Sequence, residues 1–94
     1  MSKEEIYMLA LSRYGLSAQI TMVFEEFSEL QKELCKYMRG KKDLAHIAEE
    51  IADCEIMIEQ MKQFLCIYGQ VKVWKAEKLA RLETRLTEDL TDEQ

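Results

Sequence analysis

LAHIAEEIADCEIMIEQMKQFLCIY, residues 44–68, decides the fold. Its residues Leu44, Ile47, Ile51, Cys54, Ile58, Met61, Leu65 and Tyr68 follow one another at alternating steps of three and four. That spacing holds them on one side of an α-helix, as the seam along which helices pack side by side. Upstream, Ile20, Val23, Phe27, Leu30, Leu34 and Tyr37 repeat the pattern. No stretch alternates with the period of a strand, so the fold class is all-α, a helical bundle.

The flanks of these helices are marked by turn residues. Gly40 and Asp43 in RGKKD (39–43) end one helix and cap the next, and Gly69 marks a further break. About four helices are expected: Ser2 to Tyr14, a second capped by Ser17 and reaching Arg39, a third from Leu44 to Tyr68, and a fourth from Gln70 to Leu86. Together they form one domain over 1–94, with a helical core from about 3 to 86. The acidic tail TEDLTDEQ (87–94) is nearly free of apolar residues and is expected to fray.

The chain has no proline and three glycines, consistent with a few long helices. Hydrophobic residues make up 48% of its 94 residues and charged residues 33%, a globular rather than a disordered balance. Eighteen acidic against 13 basic residues give a net charge of -5, which argues against a polymeric nucleic acid partner. No apolar run is long enough to span a bilayer, and no signal peptide precedes the first helix. Cys35, Cys54 and Cys66 are odd in number and lack metal-ligand spacing, so reduced core or boundary thiols in a cytoplasmic protein are expected.

Two acidic pairs stand out. EEFSEL (25–30) and EEIADC (49–54) each place an acid, two other residues and a second acid: Glu26 with Glu29, and Glu50 with Asp53. With the seam at heptad positions a and d, both pairs take positions g and c, on the flank beside it. Acids three apart are common on helices and are usually just solvated, but here the flank turns apolar around them. Met22 precedes Glu26, and Met57, Gln60, Phe64 and Ile67 follow Asp53 along the same line. Helix three is therefore expected to be buried on two faces, with its acids inside a second packed interface.

Carboxylates converging there would repel one another and lose hydration. No lysine or arginine occupies an equivalent position near them, so a hard divalent cation is the natural compensation. Mg²⁺ suits a site of oxygen ligands facing phosphates. His46 is the sole histidine and Cys54 lies on the seam, which leaves zinc poorly supported. On the fourth helix Lys78, Arg81 and Arg85 step along the flank of a seam formed by Leu79, Leu82 and Leu86. They form either a surface face, with a weak Glu77–Arg81 pair, or a cationic strip that neutralises substrate phosphates.

EEFSE and EEIAD resemble the EExxE and ExxD motifs of the MazG-like, all-α nucleoside triphosphate pyrophosphohydrolases. The likeness runs from about Tyr7 to Leu86. LSRYGLSAQITMVFEEFSELQKELCKYMRGK (11–41) looks like the first half of the small phage- and Gram-positive-type members. HIAEEIADCEIMIEQM (46–61) resembles their metal-binding third helix, and KAEKLARLETRL (75–86), more loosely, their basic last helix.

The resemblance implies Mg²⁺ ligands at Glu26, Glu29, Glu50 and Asp53, and a phosphate-binding KxxR at Lys78 and Arg81. It implies cleavage of a nucleoside triphosphate to the monophosphate and pyrophosphate, in a homo-oligomer, either a dimer or a tetramer. Glu25 or Glu49, carboxylates without a metal duty, would take the proton from the attacking water. Phosphoribosyl-ATP pyrophosphohydrolase and dimeric dUTPases are similar scaffolds and give alternative substrates. A non-catalytic helical oligomer is the alternative outside enzymes. Met22, Met57 and Trp74 are apolar candidates for contact with a base.

Overall fold

The computed structural model describes residues 1–92, with side chains through residue 90. Ser2 opens the first helix, its hydroxyl accepting from the N–H of Glu5 at 3.1 Å. Four helices follow, with no strand among the described residues: α1 Lys3–Tyr14, α2 Leu16–Met38, α3 Leu44–Phe64 and α4 Tyr68–Asp92. None is long and apolar enough to cross a membrane.

Gly15, at φ 86°, breaks α1 from α2 in a conformation that favours glycine. It takes the N-cap position of α2, while Ser17 lies inside that helix and its carbonyl accepts from the Thr21 hydroxyl. Asp43 caps α3 as expected, accepting from the N–H of His46 at 3.0 Å.

The chain leaves α2 and α3 by one device. Gly40 and Cys66 both take positive φ, 95° and 56°. Behind them the N–H groups of Gly40 and Lys41 reach back to the carbonyls of Tyr37 and Lys36. Those of Cys66 and Ile67 reach back to Gln63 and Lys62. These paired bonds satisfy carbonyls that a helix end would otherwise leave orphaned. Helix three thus ends at Phe64 rather than Tyr68, and the break falls at Cys66 rather than Gly69, which sits in the first turn of α4. Past Leu86, α4 continues through the acidic tail to Asp92; residues 93–94 lie outside the described residues. All three cysteines are free thiols; Cys54 is buried, whereas Cys35 and Cys66 are exposed.

Helices α2 and α3 form an antiparallel hairpin. Near its loop Glu33 meets His46, and farther along the Cys54 thiol donates to the Glu26 carbonyl at 3.4 Å. The face of α3 turned inward is not quite the expected seam. Ile47, Glu50 and Cys54 are buried, and Met57, Met61 and Phe64 half-buried. The other half of the seam, Leu44, Ile51, Ile58 and Leu65, is exposed. A coiled-coil seam serves one neighbour, but α3 also meets α1, and that second contact draws its covered arc toward Gln60 and Gln63.

Within one chain the bundle stays open. Helix α4 touches α3 alone, and from Tyr68 to Leu90 only Val71 is as much as half-buried. Trp74, Leu79, Leu82, Leu86 and Leu90 all face solvent. Among the described residues the buried hydrophobics are Tyr7, Ile47 and Cys54.

A polar clasp holds α1 to α3. The Tyr7 hydroxyl donates to Glu59 at 2.6 Å, Lys3 pairs with the same carboxylate oxygen at 3.3 Å, and the Gln63 amide donates to the Glu4 carbonyl. Burial, and then the bond to Glu59, push the Tyr7 phenol up to about 12. The Tyr7 bond, followed by that from Lys3, holds Glu59 below the usual glutamate value. Tyr7→Phe should cost about 1.5 kcal/mol, the value of a hydrogen bond to a charged acceptor. The sign at each end of the pH range follows from the two shifts. Glu59, lowered, contributes above its ordinary 4.5, and that contribution is lost as pH falls through the lower folded value. Tyr7, raised, contributes below its ordinary 10.0 and loses that as pH rises through about 12. Urea melts of both proteins across pH check this: the gap should be widest between those limits and close toward acid.

Candidate metal centre

Glu26 comes from the middle of α2, and Glu50 and Asp53 from adjacent turns of α3. The hairpin register that sets Cys54 against the Glu26 backbone brings the three side chains together. One carboxylate oxygen from each lies within 4.8 Å of the others. They line an open depression of about 590 Å³ that Glu25, Glu29, Phe24 and Ser28 complete. Three of the four expected ligands therefore converge; Glu29 faces the same depression from outside the tight group. Glu25 is exposed at its edge, and Glu49 is exposed on α3 and does not line it.

The sequence puts the acids on a flank beside the seam, inside a second packed interface. Instead, Glu50 lies in the α2–α3 interface itself, 7% exposed, because the inward arc of α3 runs through it. Its Oε1 stands 3.2 Å from His46 Nε2. Its Oε2 is buried and has no hydrogen-bond partner. A buried carboxylate oxygen without a partner costs free energy, and a cation is the group that would satisfy it beside two further carboxylates.

Electrostatics point the same way. Burial, then the negative charge of Asp53 and a hydrogen bond between the two, raise the Glu26 carboxyl above its ordinary value; Glu50 and Glu29 add to the effect. The Cys54 thiol is raised too, chiefly by burial and then by the charges of Glu26, Glu50 and Asp53. Such a thiol is a poor metal ligand, and the converging donors are all oxygens. The donor set suits a hard cation such as Mg²⁺.

The basic strip does not reach these acids. Lys78, Arg81 and Arg85 are exposed on α4 and none lines the acidic depression. Arg81 donates to Glu77 at 2.6 Å, and its guanidinium lies 6.0 Å from the centre of the Trp74 ring. Nor do Met22, Met57 or Trp74 line the depression. The apolar side chain there is Phe24, 66% exposed and outside the seam spacing, so periodicity passes over it.

One buried acid beyond the two pairs also escaped the sequence reading. Glu33 on α2 is 3% exposed, and its carboxylate is held by Lys36 at 3.1 Å and by His46 Nδ1 at 3.3 Å. Charged residues on a helix are ordinarily solvated, so nothing in a single sequence marks this one as buried. The chain matches no protein-family model, no curated protein and no solved structure.

Proposed function

We propose that the chain is a Mg²⁺-dependent nucleoside triphosphate pyrophosphohydrolase of the MazG-like kind, acting as a homo-oligomer. The observation that carries this reading is the convergence of Glu26, Glu50 and Asp53, one of which, Glu50, has a buried oxygen without a hydrogen-bond partner. Those three would hold the cation, with Glu29 near enough to join them through a ligand or a small rotation. When bound, Mg²⁺ supplies charge to offset the phosphates and to acidify a coordinated water.

The chain's own residues do the rest. Glu25, which lines the depression outside the ligand group, would accept the proton of the attacking water, and its lining position favours it over Glu49. Phe24 offers an open aromatic face at the same rim, on which a base can stack. Lys78, Arg81 and Arg85 would meet the triphosphate from a second copy, since α4 lies away from the acids of its own chain. A second copy also explains the apolar stripes of α3 and α4, which one chain leaves in solvent.

A panel of ribo- and deoxynucleoside triphosphates, phosphoribosyl-ATP included, tests the assignment with Mg²⁺ and with chelator. The expected products are the monophosphate and pyrophosphate, formed only with metal. Diphosphate and orthophosphate would place the attack at a different phosphorus and sink the assignment. No metal-dependent turnover of any substrate would leave a helical oligomerisation module in its place.

A further inference from the structure

Behind the acidic depression, four polar side chains form a chain of contacts across the hairpin: Lys36 and Glu33 from α2, His46 and Glu50 from α3. Lys36 Nζ lies 3.1 Å from Glu33 Oε1, Glu33 Oε2 lies 3.3 Å from His46 Nδ1, and His46 Nε2 lies 3.2 Å from Glu50 Oε1. Both outer carboxylates are more than nine-tenths buried, whereas the histidine between them is partly exposed. The imidazole thus bridges two buried acids on different helices.

We infer that His46 is a positioning residue: spanning Glu33 and Glu50, it occupies one Glu50 oxygen and leaves the other for the cation. The inference rests on the metal site proposed above. Glutamate has three rotatable bonds, and a ligand held by a neighbour loses less freedom when metal binds. Glu50 Oε1 faces His46, and Oε2 is the oxygen with no hydrogen-bond partner. His46 itself is fixed from two sides. Its backbone N–H is held by the Asp43 cap, and its far ring nitrogen faces Glu33, which Lys36 pins in turn. Glu33 therefore acts on the cation only through His46. Glu33 and His46 fall outside both acidic pairs, so the paired motif alone does not account for their placement.

Mn²⁺ binding to the metal-free protein, read by electron paramagnetic resonance without substrate, tests this apart from activity. His46→Ala should weaken Mn²⁺ binding by about 10- to 100-fold, the usual loss when a ligand's supporting partner is removed. His46→Gln, whose amide nitrogen falls near the place of Nε2, should keep most of the affinity. His46→Asn, whose amide falls near Nδ1 and toward Glu33, should behave like the alanine variant. Glu33→Gln should weaken binding in the wild-type background and add nothing once His46 is alanine. If His46→Ala binds Mn²⁺ as the wild type does while Glu50→Gln loses it, the metal site stands and the positioning role is overturned. A Glu33→Gln effect that persists undiminished without His46 overturns it as well. Wild-type protein that binds no Mn²⁺ would instead remove the metal site, and the positioning role with it. Cooperative melting of each variant, measured alongside, separates weakened binding from a lost fold.

Discussion

Asp53→Asn should abolish Mg²⁺-dependent hydrolysis while leaving the metal-free protein as stable as the wild type, or more so. The substitution keeps the shape of the side chain and removes one of three negative charges whose carboxylate oxygens gather within 4.8 Å. In the metal-free wild type the mutual repulsion of those charges opposes folding, and Asp53 is the charge that contributes most to raising Glu26. Losing a direct ligand should cost at least about 100-fold in turnover, since even supporting partners of ligands cost 10- to 100-fold. Mg²⁺ should separate the two proteins further. A ligand bound only by the folded state stabilises it by about 2.7 kcal/mol at a hundred times its dissociation constant. For a chain of this size that corresponds to a rise in Tm of about 10 °C or more. The wild type should show that rise and the variant little of it. If the acids were an ordinary solvated face, Asp53→Asn would change stability by no more than about 0.5 kcal/mol, and Mg²⁺ would treat both alike. Differential scanning fluorimetry with Mg²⁺ and with chelator distinguishes the two outcomes, and equal Mg²⁺ responses would exclude Asp53 as a ligand.

The second large effect should come from α4. Leu79→Asp combined with Leu82→Asp should convert an oligomer into monomers that have lost helix content and turnover together. The chain is 48% hydrophobic, yet on its own it buries only Tyr7, Ile47 and Cys54 among its described apolar residues. So small a core is poorly matched to the conformational entropy of ordering the chain, and Leu44, Ile51 and Ile58 on α3 stand open, as does the stripe of α4. A charge placed in an apolar interface must be desolvated without a partner, so two of them should prevent assembly. Sedimentation of the wild type at micromolar concentration should show a dimer or larger, and the double variant a monomer. A well-folded wild-type monomer would defeat the oligomer outright.

Mixing variants examines the origin of the cations within the same assembly. Lys78→Ala combined with Arg81→Ala should be nearly inactive, as should Asp53→Asn. If α4 of one copy serves the acids of another, co-assembled mixtures regain turnover, because some sites then pair intact acids with intact cations. Mixtures that stay inactive would return Lys78 and Arg81 to their own chain.

The helices themselves were legible residue by residue, because the interactions that form them are local. Apolar steps of three and four, the Asp43 cap and the glycine at 40 act within a few residues of chain. Boundaries misled for the same reason: Ser17 lies inside α2 rather than at its cap, α4 runs on past Leu86, and the α3–α4 break is displaced. Gly69 carries the composition of a stop, but the backbone turns at Cys66, where the left-handed conformation costs a side-chain residue about 1–2 kcal/mol. That cost is borne by the two carbonyls the turn satisfies and by the contacts it allows, which no local preference records. The acidic pairs were legible as pairs, since residues three apart share a helix face at any rotation of the helix. Only the tertiary structure decided that Glu26, Glu50 and Asp53 converge while Glu29 stands outside the tight group and Glu49 does not line the depression. It also decided that Ile47 and Glu50 turn inward while Ile51 and Ile58 do not, and that Glu33 is buried against His46. Periodicity states which residues share a face. Which face meets the neighbour depends on how far each helix is rotated about its axis, and that angle is set by contacts between residues far apart in the chain.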